Sequence, residues 1–325
     1  MRILVLGGTA WLGRSVASEA LARRHEVTCL ARGNGEVAAG ASLVRADRDQ
    51  GGAYADVLAQ RWDAVVDVAR QPGHVRSAVA ALEPLTRRYV FVSTGNVYAS
   101  HLELDQDEDA ALLPPLGSDE MPSMKQYGEA KVACEQAVLD TFGAGRTVIA
   151  RAGLIGGPGD ESGRSGYWPH RFAHPDGPVL VPDEDQQIEL IDVRDLATWL
   201  VGCIERGASG IFNAVANRMS LAEHLAVARE VAGHDGPVAS ASAHWLHEQG
   251  VQPWSGARSL PLWIGDPDWA GFAARSNRRA VEAGLRTRPL RETLADVLAW
   301  EEQRTGTWPH GAGLTDKEQR DLVRT

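Results

Sequence analysis

The residues of this sequence best suited to chemistry are a tyrosine and a lysine, Tyr127 and Lys131, four positions apart. On a helix, this spacing places both side chains on one face, one turn apart. A nearby ammonium favours the phenolate, so we expect the pKa of Tyr127 to lie below the reference value of about 10. Such a phenol can take or give a proton while a hydride moves at the same carbon. The spacing alone is common by chance, so its surroundings decide its meaning.

Two hydroxyl residues, Ser93 and Thr94, lie upstream of this pair. They follow the apolar run 89–92, which predicts a central strand. Ligands of open α/β sheets bind at the carboxyl ends of the strands. Either hydroxyl is therefore placed to hold a substrate oxygen beside Tyr127.

A glycine-rich turn follows the first predicted strand and precedes a predicted helix; it reads Gly7-Gly8-Thr9-Ala10-Trp11-Leu12-Gly13. Such a turn lets the backbone approach a pyrophosphate, to which the helix N-terminus presents free N–H groups. A nucleoside triphosphate loop is disfavoured, because Arg14 stands where that loop requires lysine. The turn predicts a dinucleotide site.

The end of the second predicted strand indicates which dinucleotide binds. NAD-specific folds place an acid there, whereas this chain has Arg32, which can pair with a 2′-phosphate. The sequence thus favours NADP(H), with NAD as the alternative. Asp47 and Arg48, after the third strand, are expected beside the adenine, although Asp47 is equally suited to cap the next helix.

Strands alternating with helices over the first half of the chain predict βαβ units and a doubly wound parallel sheet. We expect a dinucleotide-binding domain over residues 1–155, which also takes elements from about 186–215. Residues 156–325 are expected to form a smaller, mostly helical substrate-binding part. The glycines crowded between 153 and 166 predict an irregular loop at the junction.

Composition excludes several classes of function. The formal net charge is -10, from 33 Lys+Arg against 43 Asp+Glu, which argues against nucleic acid as a partner. Three scattered cysteines provide no disulfide framework, and no apolar run is long enough for a membrane span. His170 and His174 have a helical spacing but no evident partner acid, so we expect no metal. The chain is expected to be a cytoplasmic protein.

Taken together, these motifs resemble the extended short-chain dehydrogenase/reductase superfamily and, within it, the NAD-dependent epimerase/dehydratase family. The resemblance rests on the glycine turn, the run 93–98, the Tyr127/Lys131 pair and the segment 151–160. A second set of motifs is closer to an atypical branch that has Gly-Gly-Thr at the turn: Ala31-Arg32-Gly33 and Ala46-Asp47-Arg48.

The resemblance assigns roles to individual residues. It implies that Thr94 is the catalytic hydroxyl, Tyr127 the general acid/base, and Lys131 the lysine that also binds the cofactor ribose. Ala69 matches a small residue that lies against the cofactor. A homodimer formed through the helix 125–142 is implied as well.

The chain also departs from the family pattern. Ala10 replaces the usual middle glycine, and Gly95-Asn96 stands where sugar 4,6-dehydratases have an Asp-Glu pair, so dehydration by their route is disfavoured. We expect Asn96, Tyr167, Trp168 and Arg171 to contact the small-molecule substrate, with Arg171 suited to a diphosphate.

The sequence therefore predicts an NAD(P)-dependent oxidoreductase that moves a hydride between the cofactor and a carbonyl or hydroxyl carbon. Two alternatives stay open. One is a nucleotide-sugar epimerase that retains its NAD, and the other is a non-catalytic protein that senses the cofactor or serves as a scaffold.

Overall fold

The computed structural model describes residues 1–324, and its centre is a seven-stranded parallel sheet. The strands are β1 (Arg2–Leu6), β2 (Glu26–Ala31), β3 (Ser42–Arg45), β4 (Ala64–Asp67), β5 (Tyr89–Thr94), β6 (Thr147–Ala152) and β11 (Gly210–Ala214). Across the sheet their order is β11-β6-β5-β4-β1-β2-β3. The four central strands are almost wholly buried, which explains why they consist of continuous apolar runs rather than alternating patterns.

Helices cover both faces of the sheet. Helices α1 (Trp11–Ala22) and α5 (Val193–Arg206) pack on one face, and α2 (Pro72–Leu82) and α3 (Tyr127–Phe142) pack on the other. Helix α2 begins at Pro72, because proline is well suited to the first helical position. The predicted doubly wound parallel sheet is confirmed.

A second core lies in the C-terminal half. Three helices contribute its centre: α4 (Tyr167–Ala173), α6 (Leu221–Val231) and α9 (Leu290–Gln303). Short helices and strand pairs complete it: α7 (Ala243–Glu248), α10 (Asp316–Val323), β7 (Leu154–Gly156) with β10 (Leu190–Asp192), β8 (Val179–Pro182) with β13 (Val238–Ala241), β9 (Gln187–Ile188) with β12 (Met219–Ser220), and β14 (Gln252–Trp254) with β15 (Ser259–Pro261). The short helix α8 (Arg278–Glu282) packs instead against β11 of the main sheet.

The chain crosses between these two parts more than once. Strand β11 returns from the C-terminal half and pairs with β6, so the sheet takes in part of the expected region 186–215. The boundary at residue 155 stays a prediction. Among residues 1–324, no helix has the length and apolar character needed to cross a membrane.

Candidate active site

The glycine turn connects β1 to α1 by a sharp reversal of the backbone. Gly7 has φ +92°, which favours glycine, and a Cβ on Gly13 would lie 2.2 Å from the carbonyl oxygen of Gly7. No side chain caps α1 at Ala10, so the first N–H groups of the helix stay available to an anion. This uncapped cradle fits the pyrophosphate of a dinucleotide.

The indole of Trp11 links this turn to the glycine-rich loop after β7. Its Nε1 donates to the carbonyl oxygen of Pro158 at 2.9 Å, and its ring lies where a Cβ on Gly159 would be. Gly159 has φ +91°, so both its backbone and its contact require glycine. The loop is thereby held next to the glycine turn.

Strand alternation separates the two candidate hydroxyls at the end of β5. Ser93 Oγ donates to the buried carboxylate of Glu135, which also pairs with Arg151, so Ser93 belongs to the interior. Thr94 Oγ donates to Asn96 Oδ1 at 3.0 Å and lies beside Tyr127. A hydroxyl has one hydrogen, so Thr94 serves either Asn96 or a substrate oxygen. Of the two hydroxyls, only that of Thr94 is therefore a candidate to hold a substrate oxygen.

Helix α3 brings Tyr127 to Thr94 by packing very closely on the turn after β5. A Cβ on Gly128 would lie 2.3 Å from the carbonyl oxygen of Asn96. Any larger residue at position 128 would push the helix away from the strand. Gly128 therefore sets the distance between the phenol and the threonine hydroxyl, a role that sequence reasoning missed.

The expectation that the pKa of Tyr127 lies below its usual value is wrong. Burial raises the pKa of Tyr127, whereas a hydrogen bond with Thr94 and the charges of Arg70 and Arg164 act in the opposite direction. Lys131 is not among the main causes of this shift; its ammonium donates to the carbonyl oxygens of Ala69 and Val92. The phenol therefore keeps its proton at neutral pH.

Lys131 is buried beneath the site rather than exposed in it. Its Nζ donates to the carbonyl oxygens of Ala69 at 2.8 Å and Val92 at 2.5 Å and lies 4.1 Å from the centroid of the Phe91 ring. Burial lowers the pKa of Lys131 to about 8. An ammonium has three donors, and two are used, so one hydrogen remains for a ribose hydroxyl. Ala69 and Lys131, each expected to contact the cofactor, are thus brought together.

The guanidinium of Arg48, a residue expected beside the adenine, is committed to partners within the protein. It turns inward and makes a bidentate pair with Asp67, with both distances 2.8 Å, and also donates to Tyr54 and the carbonyl oxygen of His74. Burial alone would raise the pKa of Asp67, but the Arg48 charge holds it below its usual range. A carboxylate buried at a strand end requires a partner, and Arg48 supplies it.

Asp47 and two further arginines lie near Arg48, where β2 and β3 end. Asp47 Oδ1 accepts from Asp49 N at 3.1 Å and so stabilises a local turn; it does not cap the next helical segment, Ala55–Val57, which follows Tyr54. Arg32 is exposed at the end of β2, and a Cβ on Gly33 would lie 2.9 Å from Arg45 Nε. Two arginines, Arg32 and Arg45, therefore stand where β2 and β3 end.

A family model connects this geometry to known proteins. The model described as the NAD dependent epimerase/dehydratase family matches residues 3–85 and 77–214, about two thirds of the chain. This chain belongs to that family. The predicted resemblance is confirmed, and with it an NAD-dependent enzyme type of the extended short-chain dehydrogenase/reductase superfamily. No curated protein matches the chain in sequence.

Solved structures share the fold over almost the whole length. A Burkholderia cenocepacia J2315 protein, provisionally assigned as an epimerase, is 25% identical, with 93% of this chain and 98% of that chain covered and a TM-score of 0.70. UDP-N-acetylglucosamine 4-epimerase from Bacillus cereus is 16% identical, with 94% and 98% covered and a TM-score of 0.68. UDP-glucose 4-epimerase from Thermus thermophilus, in complex with NAD, is 19% identical, with 94% and 100% covered and a TM-score of 0.63.

Three of the expected substrate residues lie in the second core of this family member instead. Tyr167 and Trp168 are 1% and 0% exposed, and Trp168 Nε1 donates to the carbonyl oxygen of Pro261. Arg171 is also 0% exposed; it pairs with Asp316 at 2.7 Å and donates to the carbonyl oxygen of Leu314. The expectation that these side chains contact substrate is corrected, because α4 turns them inward. Asn96 alone of the four lies beside Thr94.

Two other arginines lie near the site, and sequence reasoning missed both. Arg164, in the glycine-rich loop, acts electrostatically on Tyr127. Arg275 lies beside Gly95, where a Cβ would be 3.4 Å from its Nε, and donates to His101 and Gln106. No motif identified either one, since both come from irregular segments that only the tertiary fold places here.

The histidine pair of α4 has close rings but no arrangement suited to a metal. The centroids of the His170 and His174 rings are 4.6 Å apart. Within residues 1–324, no group of three or more His, Cys, Asp or Glu side chains is arranged to hold a metal ion.

Proposed function

We propose that this protein is an NAD(P)-dependent oxidoreductase that exchanges a hydride with a carbonyl or hydroxyl carbon of a small molecule, with Tyr127 as the proton-transfer group. The observation that supports this most is the convergence of Thr94, Tyr127 and Lys131 at the carboxyl edge of the sheet, next to an uncapped glycine turn. When bound, the nicotinamide would supply or accept the hydride.

Each side chain has a separate role in this proposal. Thr94 Oγ turns from Asn96 and donates to the substrate oxygen, which orients that oxygen toward Tyr127. Tyr127, whose pKa is raised by burial, holds its proton at neutral pH and gives it to the oxygen of a carbonyl being reduced. Lys131 uses its remaining hydrogen to hold the cofactor ribose, anchored by the carbonyls of Ala69 and Val92.

Replacing the phenol tests this assignment. We expect Tyr127→Phe to lower the rate of carbonyl reduction by about 100-fold or more, because in this proposal no other group transfers a proton to the developing alkoxide. The measurement follows oxidation of NADPH in the presence of a panel of aldehydes, ketones and nucleoside diphosphate keto-sugars. The control is Tyr167→Phe, which removes a hydroxyl in the second core. If Tyr127→Phe reduces the same compound at the wild-type rate, the assignment is contradicted.

The ends of β2 and β3 favour NADP(H) in this proposal. Arg32 and Arg45 are both exposed there, and no acid stands at the end of β2 to bind a 2′-hydroxyl. A 2′-phosphate would meet two guanidinium groups.

The second candidate is a nucleotide-sugar epimerase. In it Thr94, Tyr127 and Lys131 would act in an oxidation and then in a reduction of the same sugar, and the cofactor would not be released between them. The bond from Trp11 to Pro158 favours it, because this contact holds a loop against the dinucleotide turn and would slow the exit of the cofactor. The two candidates differ in an observable way. An epimerase is purified with bound NAD and shows no net NADPH consumption, whereas a reductase exchanges its cofactor freely.

A further inference from the structure

The glycine-rich loop, residues 156–166, is anchored to two distant parts of the chain. Its first half meets the glycine turn: Trp11 Nε1 donates to the carbonyl oxygen of Pro158 at 2.9 Å, and a Cβ on Gly159 would lie 2.8 Å from that nitrogen. Its second half meets residues 309–313, the C-terminal segment, which follows α9. The loop thus connects the carboxyl edge of the sheet to the far end of the sequence.

The C-terminal segment packs against the loop with backbone on backbone. A Cβ on Gly163 would overlap the carbonyl oxygen of His310, and a Cβ on Gly311 would lie 2.5 Å from the carbonyl oxygen of Ser162. Both glycines also have positive φ, +71° and +76°, a conformation that other residues rarely adopt. Contacts this close leave no room for a side chain on either partner, so each segment limits the movement of the other.

A buried side-chain pair holds the C-terminal segment in this position. His310 Nε2 lies 2.8 and 3.0 Å from the two oxygens of Glu301, which is on the last turn of α9 and 5% exposed. The same carboxyl group covers the end of the loop, because a Cβ on Gly166 would overlap its Oε1. A carboxyl group withdrawn from water costs free energy when it loses its hydrogen-bond partner. The pair therefore fixes the C-terminal segment relative to both α9 and the loop.

Asp160 joins the two halves of the loop. It is buried, and its two oxygens accept from the N–H and hydroxyl groups of Ser162 and Ser165 at 2.6–3.0 Å. These four bonds make residues 160–165 a compact turn that follows directly on the residues touched by Trp11. The glycine turn and the C-terminal segment consequently act on one rigid unit.

We infer that Glu301 and His310 are positioning residues that hold the glycine-rich loop against the glycine turn, so that the C-terminal segment controls how fast the dinucleotide exchanges. The inference deepens the proposed function and rests on it, because it assumes a dinucleotide at the glycine turn. The pair acts through the backbone of the loop. Without it, the loop opens more readily at the bond from Trp11 to Pro158, which closes it on the turn.

The test compares the full-length wild type with His310→Ala in two measurements. Hydrogen exchange of the cofactor-free protein, followed by mass spectrometry, reports the opening of residues 156–166; we expect it to be about 10-fold faster in the variant, as for the loss of one hydrogen bond to a charged group. Release of bound NADPH is followed by its fluorescence during a chase with excess NADP⁺, and should accelerate by a similar factor.

Three further variants sharpen this comparison. His310→Gln keeps a side-chain donor for Glu301 and should recover part of both effects. Glu301→Gln keeps the shape of the carboxyl group, should show a smaller increase in both rates, and replaces His310→Ala if that variant does not fold. His244→Ala is the matched control, since this histidine of α7 has a side chain that is 84% exposed.

A double-mutant cycle separates positioning of the loop from general destabilisation. Trp11→Phe removes the N–H group that binds Pro158, which is the other anchor of the loop. Because both anchors hold one rigid unit, we expect the effects of Trp11→Phe and His310→Ala on NADPH release to be coupled. Effects that simply multiply in the double variant would show that the two residues act independently, and would overturn the inference.

The remaining outcomes distinguish this inference from the proposed function. Unchanged exchange of the loop in folded His310→Ala, or in Glu301→Gln if the former does not fold, overturns the inference. Faster exchange of the loop with NADPH release at the wild-type rate also overturns it, because the loop would then not control the cofactor. If the wild type binds neither NADPH nor NADH, the proposed function itself is contradicted, and the inference falls with it.

Discussion

At the scale of single residues, Lys131 is the most unusual group in the site. It is 2% exposed, yet its ammonium meets two carbonyl oxygens and an aromatic face rather than a carboxylate. Carbonyl dipoles compensate only part of the free energy of dehydration, so burial lowers the pKa to about 8. In the proposed function, the remaining hydrogen of this ammonium binds a cofactor hydroxyl rather than a carboxylate.

This lysine predicts a pH dependence of stability. In the folded protein Lys131 releases its proton near pH 8, and in the unfolded chain near the ordinary value of 10.5. Between these values the unfolded state binds more protons, so the free energy of unfolding rises with pH. Relative to Lys131→Met, the wild type should gain about 3 kcal/mol across that window. Urea denaturation of both proteins from pH 7 to about pH 10.5 measures the difference, and parallel curves would refute the assignment.

Some features of the site could be predicted from single residues, and others could not. The glycine turn and the Thr94/Tyr127/Lys131 set were recognisable because each is local and has a fixed spacing. The pairing of Arg48 with Asp67 was not foreseen, because the two residues are distant in sequence and only burial makes the pair necessary. The charge of a residue is visible in a sequence, but what neutralises it is a property of the fold.

At the scale of elements, the distance between α3 and the end of β5 controls the site. Tyr127 is the first residue of α3 and Thr94 the last of β5, and Gly128 lies at the contact between them. The absence of a side chain at this one position lets two rigid elements present their hydroxyls to the same point. A small shift of α3 would therefore lower the activity more than the stability of the fold.

We expect Gly128→Ala to impair this geometry. The added methyl would meet the carbonyl oxygen of Asn96 at 2.3 Å, so α3 must shift, at a cost of about 1–3 kcal/mol in stability. Activity should fall further than the loss of folded protein explains, because Tyr127 moves with the helix. Activity per folded molecule is the measurement. Gly145→Ala is the matched control, since a Cβ there meets nothing within 4 Å. Equal activity of both variants would show that the contact does not position the phenol.

Element boundaries were predictable where a helix or strand is defined by its own sequence. The strand predicted from the apolar run 89–92 and the helix expected over 125–142 differ little from β5 and α3. Helix α4 was not predicted as an inward-facing element. Its burial depends on segment 308–316, which is distant in sequence, and no local pattern contains that information.

At the scale of the whole molecule, the sheet and the second core have separate hydrophobic interiors. The Arg171–Asp316 pair belongs entirely to the second core, in which α4 packs with α6 and α9. The candidate site is formed by the carboxyl end of the sheet and by the glycine-rich loop that leads into this core. Dimerisation through α3 stays a prediction; in the described chain that helix exposes chiefly Gln136 and Asp140.

This separation predicts the effect of removing Arg171. Arg171→Ala should lower the free energy of unfolding by about 3 kcal/mol, because it leaves a cavity beside Trp308 and removes the donor to the Leu314 carbonyl. The affinity for NADPH should not change, since the glycine turn and Lys131 lie in the other part. Chemical denaturation and nucleotide titration on the same preparation give both values. A stable variant with altered ligand binding would restore Arg171 as a substrate residue.

The central claim is that the chain binds a nicotinamide dinucleotide and uses it. A fluorescence titration of purified, demonstrably folded protein with NADPH and NADH, preceded by a check for bound nucleotide, tests it most directly. We expect NADPH to bind more tightly than NADH in the wild type, and the double variant Arg32→Ala/Arg45→Ala to lose that preference while keeping NADH. If the folded wild type contains no nucleotide and binds neither dinucleotide, the claim is contradicted, and the glycine turn serves only the architecture.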